Sequence, residues 1–276
     1  MVRIRNLLIF MLLFYSGNDL LAQLIRKDHS EMTPSEKRTY RDAVISLKNF
    51  MLAHAVHHAD FFNTEIHTRA SPINGSQFLS WHRLFMLEVE DQLRTSGISN
   101  ADKITIPYWN WTIENSSSNV TWGNTGFLDL PTLQNAGFIA DNDGDPNTPK
   151  NAIIRSISPS PFVQSSDLTD MNGLSSFMPS FWQNPNNGLS SFFSKRLERH
   201  HNQGHGFIGG TMNSFESPAD PVFYLHHNFV DKLWQDWEDK ESSIKSSFPT
   251  PPSTPLNIND WPNTSPNSIT DARRMV

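Results

Sequence analysis

Ten of the eleven histidines fall in two windows of the chain, five within residues 54–82 and five within 200–227, and only His29 lies outside them. Their spacing limits what the chain can fold into. Tyr40, Val44, Leu47, Met51, His54 and His58 follow one another at steps of four and three, which is one face of a helix. "FLSWHRLFMLEVEDQLR" lays Phe78, His82, Phe85, Val89 and Leu93 on a second such stripe, with Glu90 and Arg94 paired outside it. Phe193, Leu197, His201 and His205 step by four along a third, and Phe223, His227, Val230 and Trp234 share a fourth. Four helices therefore aim imidazoles at a common interior. A single buried histidine is satisfied by one hydrogen bond, but several neutral imidazoles in one apolar interior each bring a nitrogen that needs a partner. Metal ions supply such partners.

Local signals place the elements around these stripes. Thr33, Pro34 and Glu36 are in register as N-cap, first-turn proline and capping-box acid, so one helix is predicted to begin there and run through His58. "TIPYWNWT" reads as an extended aromatic piece lying on the helices. Residues 113–190 are rich in Asn, Ser, Gly and Pro and read as long loops with short elements. Within them Asp141, Asp143 and Asp145 have calcium-loop spacing, yet Pro146 stands at the loop glycine and Ala152 at the closing acid, so an acidic turn network is the expectation. The fold class expected is mainly α, a four-helix bundle core holding two metal ions, with long irregular loops.

The formal net charge of −6 comes without any basic block, which argues against nucleic acid or an anionic membrane and for a small-molecule partner. Arg3 and Arg5, the apolar run Leu7 to Tyr15 and the small Ala22 have the layout of a secretory signal peptide over residues 1–22. The expectation is a secreted or periplasmic protein with no membrane association after that segment is removed. Residues 23–240 would form the folded domain. Residues 241–276 hold six of the eighteen prolines and read as a loose or wrapping tail. The chain has no cysteine, so disulfides, thiolate metal sites and cysteine nucleophiles are excluded and any metal must sit on His, Asp or Glu.

His201 and His205 are four apart and can bite one ion from one helix face, with His227 of the following helix completing three nitrogens. The first window can serve a second ion. Ligation by imidazole alone suits copper, zinc or iron, and the H-E-x-x-H pattern of a zinc hydrolase is absent. Two facing three-histidine sites suggest a metal pair able to hold O2 between them.

"FLSWHRLFMLEVEDQL" followed by "ITIPYWNW" resembles the copper-A region of tyrosinases, and "HNQGHGFIGGTMNSFESPADPVFYLHHNFVDKLW" resembles their copper-B region, with D-P-x-F-x-x-H-H-x-x-x-D-x-x-W in order. The resemblance spans about residues 34–240 and is of the bacterial type, since no cysteine is present to form a thioether with a copper-A histidine. It implies two copper ions. His201, His205 and His227 resemble the copper-B ligands, His226 their neighbour, and Asp231 an acid that buttresses the helix and fixes an imidazole. His82 resembles the histidine of the family's W-H-R, and His54 its first copper-A ligand. The family's middle ligand falls on Ile73, nine residues before His82, so His67 is the nearest candidate, with His57 and His58 as rivals.

The resemblance implies an exported oxidase that uses O2 to turn catechols into o-quinones, with some hydroxylation of monophenols. Copper-binding or O2-carrying of the haemocyanin type without turnover is the alternative. Asn202, directly after the first copper-B histidine, and an upstream acid, for which Glu198 is the nearest, resemble the pair that orients a basic water for monophenols. Phe215 lies in the loop that borders the pocket in relatives. A copper-loading partner is a further possibility.

Overall fold

The computed structural model describes residues 24–61, 78–145, 147–173 and 193–240. Among them are seven α-helices and one two-stranded hairpin: α1 (Pro34–Ser46), α2 (Lys48–Phe61), α3 (Phe78–Arg94), α4 (Leu130–Asn135), β1 (Ile139–Ala140), β2 (Asn151–Ala152), α5 (Ser165–Asn172), α6 (Phe193–Ile208) and α7 (Val222–Lys240). The mainly α expectation holds. The leader, the tail, His67 and Pro146 lie outside the described residues.

The first helix starts as its cap predicts, with Thr33 accepting from the Glu36 amide and Glu36 accepting from the Thr33 amide. It is two helices rather than one, because Leu47 leaves the helical region at φ −97°, ψ 14° while its N–H still reaches the Ala43 carbonyl. The stripe survives that break, and Tyr40, Val44, Met51, His54 and His58 are all buried. The same is true of His82, Phe85, Val89 and Leu93 on α3 and of Leu197 and His201 on α6.

Helix α7 departs from a one-sided stripe. Every residue from Val222 to Asp231 is buried, so its first half runs through the interior and needs polar partners there. Asn228 Nδ2 donates to the Ile106 carbonyl, and the Trp109 N–H donates to the Leu225 carbonyl at 3.0 Å. These bonds lay the aromatic segment 105–112 along α7, as an extended piece must lie to hide Ile106, Trp109 and Trp111. The N-terminal segment covers its other edge, with the Tyr108 N–H on the Lys27 carbonyl at 2.8 Å and the His29 N–H on the Tyr108 carbonyl at 2.9 Å.

Helix α3 packs along α7, α6 also packs on α7, and α1 contacts both α2 and α3. One ionic cluster ties α3 to α7: the buried Arg26 guanidinium reaches Glu90 at 3.1 Å and Asp231 at 3.0 Å, and Arg83 reaches Asp231 at 2.5 Å. Arg83 also lies 3.6 Å over the Trp234 ring.

The acidic turn between β1 and β2 is the hydrogen-bonded network its sequence suggests. Asp141 Oδ1 accepts from the Gly144 amide at 2.7 Å, Asp143 Oδ1 from the Asp145 amide at 3.0 Å, and Asp145 Oδ1 from the Asn147 amide at 2.9 Å.

Candidate metal centre

Helices α6 and α7 bring three imidazoles to one point. His201 Nε2 lies 2.9 Å from His205 Nε2 and 3.0 Å from His227 Nε2, and the remaining pair is 3.5 Å apart. Nitrogens at three corners of a tetrahedron around an ion with metal–nitrogen bonds of ~2.0–2.1 Å would be ~3.3–3.4 Å apart. The His205–His227 edge is close to that, and the two edges from His201 are shorter. His205 spends its N–H on the Met212 carbonyl, Nδ1 to oxygen 2.6 Å, and His201 Nδ1 lies 3.1 Å from Asn202 Oδ1. A neutral imidazole has one N–H, so both rings turn a lone pair, not a donor, toward each other at Nε2. Opposed lone pairs at 2.9 Å call for a cation between them. Burial, followed by the neighbouring imidazoles His82, His201, His226 and His205, holds His227 well below the usual histidine pKa, which keeps it neutral and available as a ligand.

A second set adjoins the first. The His82 ring stacks on the His227 ring with centroids 4.0 Å apart at 14°, and the His58 ring is 5.7 Å from His82. Both donate from Nδ1 to a backbone carbonyl at 2.8 Å, His82 to Phe78 within its own helix and His58 to Phe215 across the fold. Each therefore presents Nε2 as its lone-pair nitrogen. Phe223 forms a wall common to both sets, with its centroid 5.4 Å from His58 and 4.1 Å from His227.

His54 is held elsewhere. Its Nε2 lies 3.1 Å from Glu88 Oε2, within ion-pair range but off the line of a hydrogen bond, and its ring packs on Phe50 and Phe85. His58, one turn further along the same stripe, is the α2 histidine whose ring adjoins His82, whereas the resemblance gave the first copper-A position to His54. His57 is half-buried and lies parallel to Trp81, with centroids 6.3 Å apart.

The remaining predicted residues divide by what they touch. His226 is fully buried behind the α6–α7 triad, stacked on Trp111 at 4.9 Å and on His201 at 5.0 Å. Its atoms and those of the triad form one four-histidine group with candidate ligand nitrogens all within 4.8 Å. Gly204 makes its seat, since a Cβ there would collide with the ring. Asp231 binds the guanidinium groups of Arg26 and Arg83, contacts that buttress α7 as the resemblance implied; its carboxylate oxygens go to these arginines and not to an imidazole. Asn202 is exposed apart from its oxygen on His201, Glu198 is buried on α6 at 4% exposure, and the Phe215 side chain is 42% exposed while its carbonyl faces inward. His29 and His200 lie outside both sets, against Glu114 at 2.7 Å and Gln203 at 3.0 Å.

Sequence reasoning missed three carbonyls, those of Phe78, Met212 and Phe215, because any residue type can supply one. It missed the role of Phe223 as a shared wall although that residue was on a recognised stripe. Arg26 carried no signal, being a lone charge in a segment without periodicity.

The chain matches the family described as the common central domain of tyrosinase over residues 46–240. It is 29% identical to the tyrosinase of Streptomyces antibioticus, across 91% of this chain and 97% of that protein. It is 26% identical to the grixazone synthase of Streptomyces griseus, over the same shares of the two chains. Units G and H of a Sepia officinalis hemocyanin are also similar, at 26% identity over 78% of this chain and 38% of theirs. Among solved structures, a polyphenol oxidase from Thermothelomyces thermophila has the same fold, with a TM-score of 0.56 at 17% identity over 86% of this chain and 74% of that one.

Proposed function

This chain belongs to the tyrosinase family of type 3 copper oxidoreductases, and from that premise we propose that it oxidises catechols to o-quinones with O2 at a dicopper centre held by His58, His67 and His82 on one side and His201, His205 and His227 on the other. The convergence of three Nε2 atoms on α6 and α7, with Nδ1 of His201 and of His205 already placed on protein acceptors, is the observation that carries this reading. The donor set fits copper, since the proposed ligands are all imidazoles and, among the described residues, His58, His82, His201 and His227 are buried among apolar side chains. Copper, when bound, supplies the redox couple that passes electrons from a diphenol to O2. The protein positions the imidazoles, keeps His227 neutral by burial, and supplies the aromatic walls Phe223, Phe78 and Phe85 that exclude water from the pocket. The stoichiometry is two catechols, each losing two electrons and two protons, against one O2 reduced to two waters.

His58 is preferred to His54 as the α2 ligand because its Nδ1 is fixed by a carbonyl and its ring adjoins His82, whereas His54 faces Glu88. His67 is proposed as the middle ligand on the strength of the sequence resemblance alone.

The leader-like residues 1–22 support export to a secreted or periplasmic location. The buried position of the triad is compatible with loading by a copper-delivering partner. Monophenol hydroxylation is proposed as the weaker activity: Glu198 is on α6 with Asn202, but the Asn202 oxygen is already turned to His201.

An oxygen-uptake assay with catechol on copper-reconstituted protein tests the reading. Consumption of O2 with quinone formation is expected. A protein that holds two coppers and binds O2 reversibly without turnover would instead be a carrier, as the hemocyanin likeness allows.

A further inference from the structure

One imidazole of each set is aimed by the same short stretch of chain. His205 donates from Nδ1 to the Met212 carbonyl at 2.6 Å, and His58 donates to the Phe215 carbonyl, three residues further on, at 2.8 Å. A ring that donates to a fixed acceptor has its tautomer and rotation set by that acceptor. The two carbonyls therefore decide where one Nε2 in each metal set points.

The hairpin of β1 and β2 fixes those carbonyls. Thr211 is fully buried; its Oγ1 accepts the Ile154 N–H at 2.9 Å and donates to Asn142 Oδ1 at 2.6 Å, while its own N–H binds the Ile154 carbonyl at 2.8 Å. At the other end Glu216 accepts the Asp141 N–H at 3.0 Å and pairs with Lys150. Gly209 and Gly210, at φ 62° and 58°, press the chain so close to Ser156 and Ile154 that neither position has room for a Cβ. The acidic turn, whose carboxylates are engaged by its own amides, thereby presents Asp141 and Asn142 to the two ends of the segment.

We propose that residues 211–216 form a brace shared by both copper sites, with Thr211 and Glu216 as positioning residues, so that copper bound at one site pre-sets an imidazole of the other. The proposal rests on the reading of His58 as a ligand. Copper on His201, His205 and His227 holds the His205 ring against the Met212 carbonyl, and so adds to the hold that Thr211 and Glu216 already have on the segment that carries the Phe215 carbonyl. Coupling of this kind is reciprocal, so the two coppers load cooperatively.

The test is a titration of the copper-free full chain with Cu(I), counting chains that carry no, one or two coppers by native mass spectrometry, with circular dichroism of the copper-free form as the folding control. In the wild type, singly loaded chains stay in the minority at half saturation. Thr211→Val removes both side-chain hydrogen bonds and should weaken both affinities by about 10–100-fold while singly loaded chains accumulate; Thr211→Ser, which keeps the hydroxyl, should restore the wild-type pattern. Asn142→Ala removes only one partner of Thr211, carries the same expectation, and serves if Thr211→Val does not fold. The brace is overturned if a folded variant loads like the wild type, or if it loses one copper while the other binds with unchanged affinity. A wild type that binds fewer than two coppers, or a His58→Ala chain that still binds two, overturns the ligand reading on which the brace depends.

Discussion

His54 and His58 lie one turn apart on the same buried face of α2, and periodicity cannot choose between them because i and i+4 point the same way. The proposed choice of His58 rests on what stands opposite: Glu88 for His54, and the Phe215 carbonyl and His82 for His58. His58→Ala is expected to leave about one copper per chain or fewer, and His54→Ala to leave about two. His54→Ala should cost roughly 1–3 kcal/mol of stability by removing a buried ring packed on Phe50 and Phe85. Copper analysis and thermal unfolding of the two variants separate these effects, and the opposite copper pattern would return the ligand to His54. Asn202 makes a related point. Its oxygen is spent on His201 Nδ1, so Asn202→Ala should lower catechol and monophenol turnover alike, by about tenfold or more. A loss confined to monophenols would show that Asn202 acts on proton removal instead.

At the scale of elements, the four histidine-bearing helices were legible because each stripe repeats at helical spacing, and the capping box of Thr33 and Glu36 fixed where α1, which precedes the first of them, begins. The break at Leu47 was not, since α2 resumes in phase and the stripe passes through it. The half of α7 buried on all sides was legible only in part, because burial of His226 and Asn228 depends on Trp111 and the 105–112 segment lying across them. What holds α3 against α7 was invisible, as Arg26 is more than sixty residues from Glu90 and two hundred from Asp231. Removing that guanidinium leaves two buried carboxylates short of a partner. Arg26→Met should therefore destabilise the protein by about 3–5 kcal/mol and loosen His82 from His227, and calorimetry together with copper retention measures both. An unchanged melting temperature would show that Arg83 alone suffices to hold Asp231.

For the molecule as a whole, burial lowers the pKa of both His226 and His227, so in the copper-free protein each stays neutral while its unfolded counterpart titrates near the ordinary histidine value. Above about pH 6.5 neither state binds the proton and these groups contribute nothing. As pH falls below that value the unfolded state takes up more protons, so stability falls, at up to ~1.4 kcal/mol per pH unit for each histidine. Thermal unfolding of the copper-free chain between about pH 7 and pH 5 should show this decline, and copper, which competes with the same protons, should suppress it. The overall plan was readable because an interior lined with imidazoles leaves few architectures, whereas the carbonyls that aim the rings depend on long-range chain geometry that no residue type encodes. The central claim is that two sets of histidines hold two coppers that work together on O2. Copper content of the purified, reconstituted chain, measured on the same sample as its oxygen uptake with catechol, tests it most directly: about two coppers per chain with sustained uptake is the predicted result, and a fully active protein with a single copper per chain would contradict it.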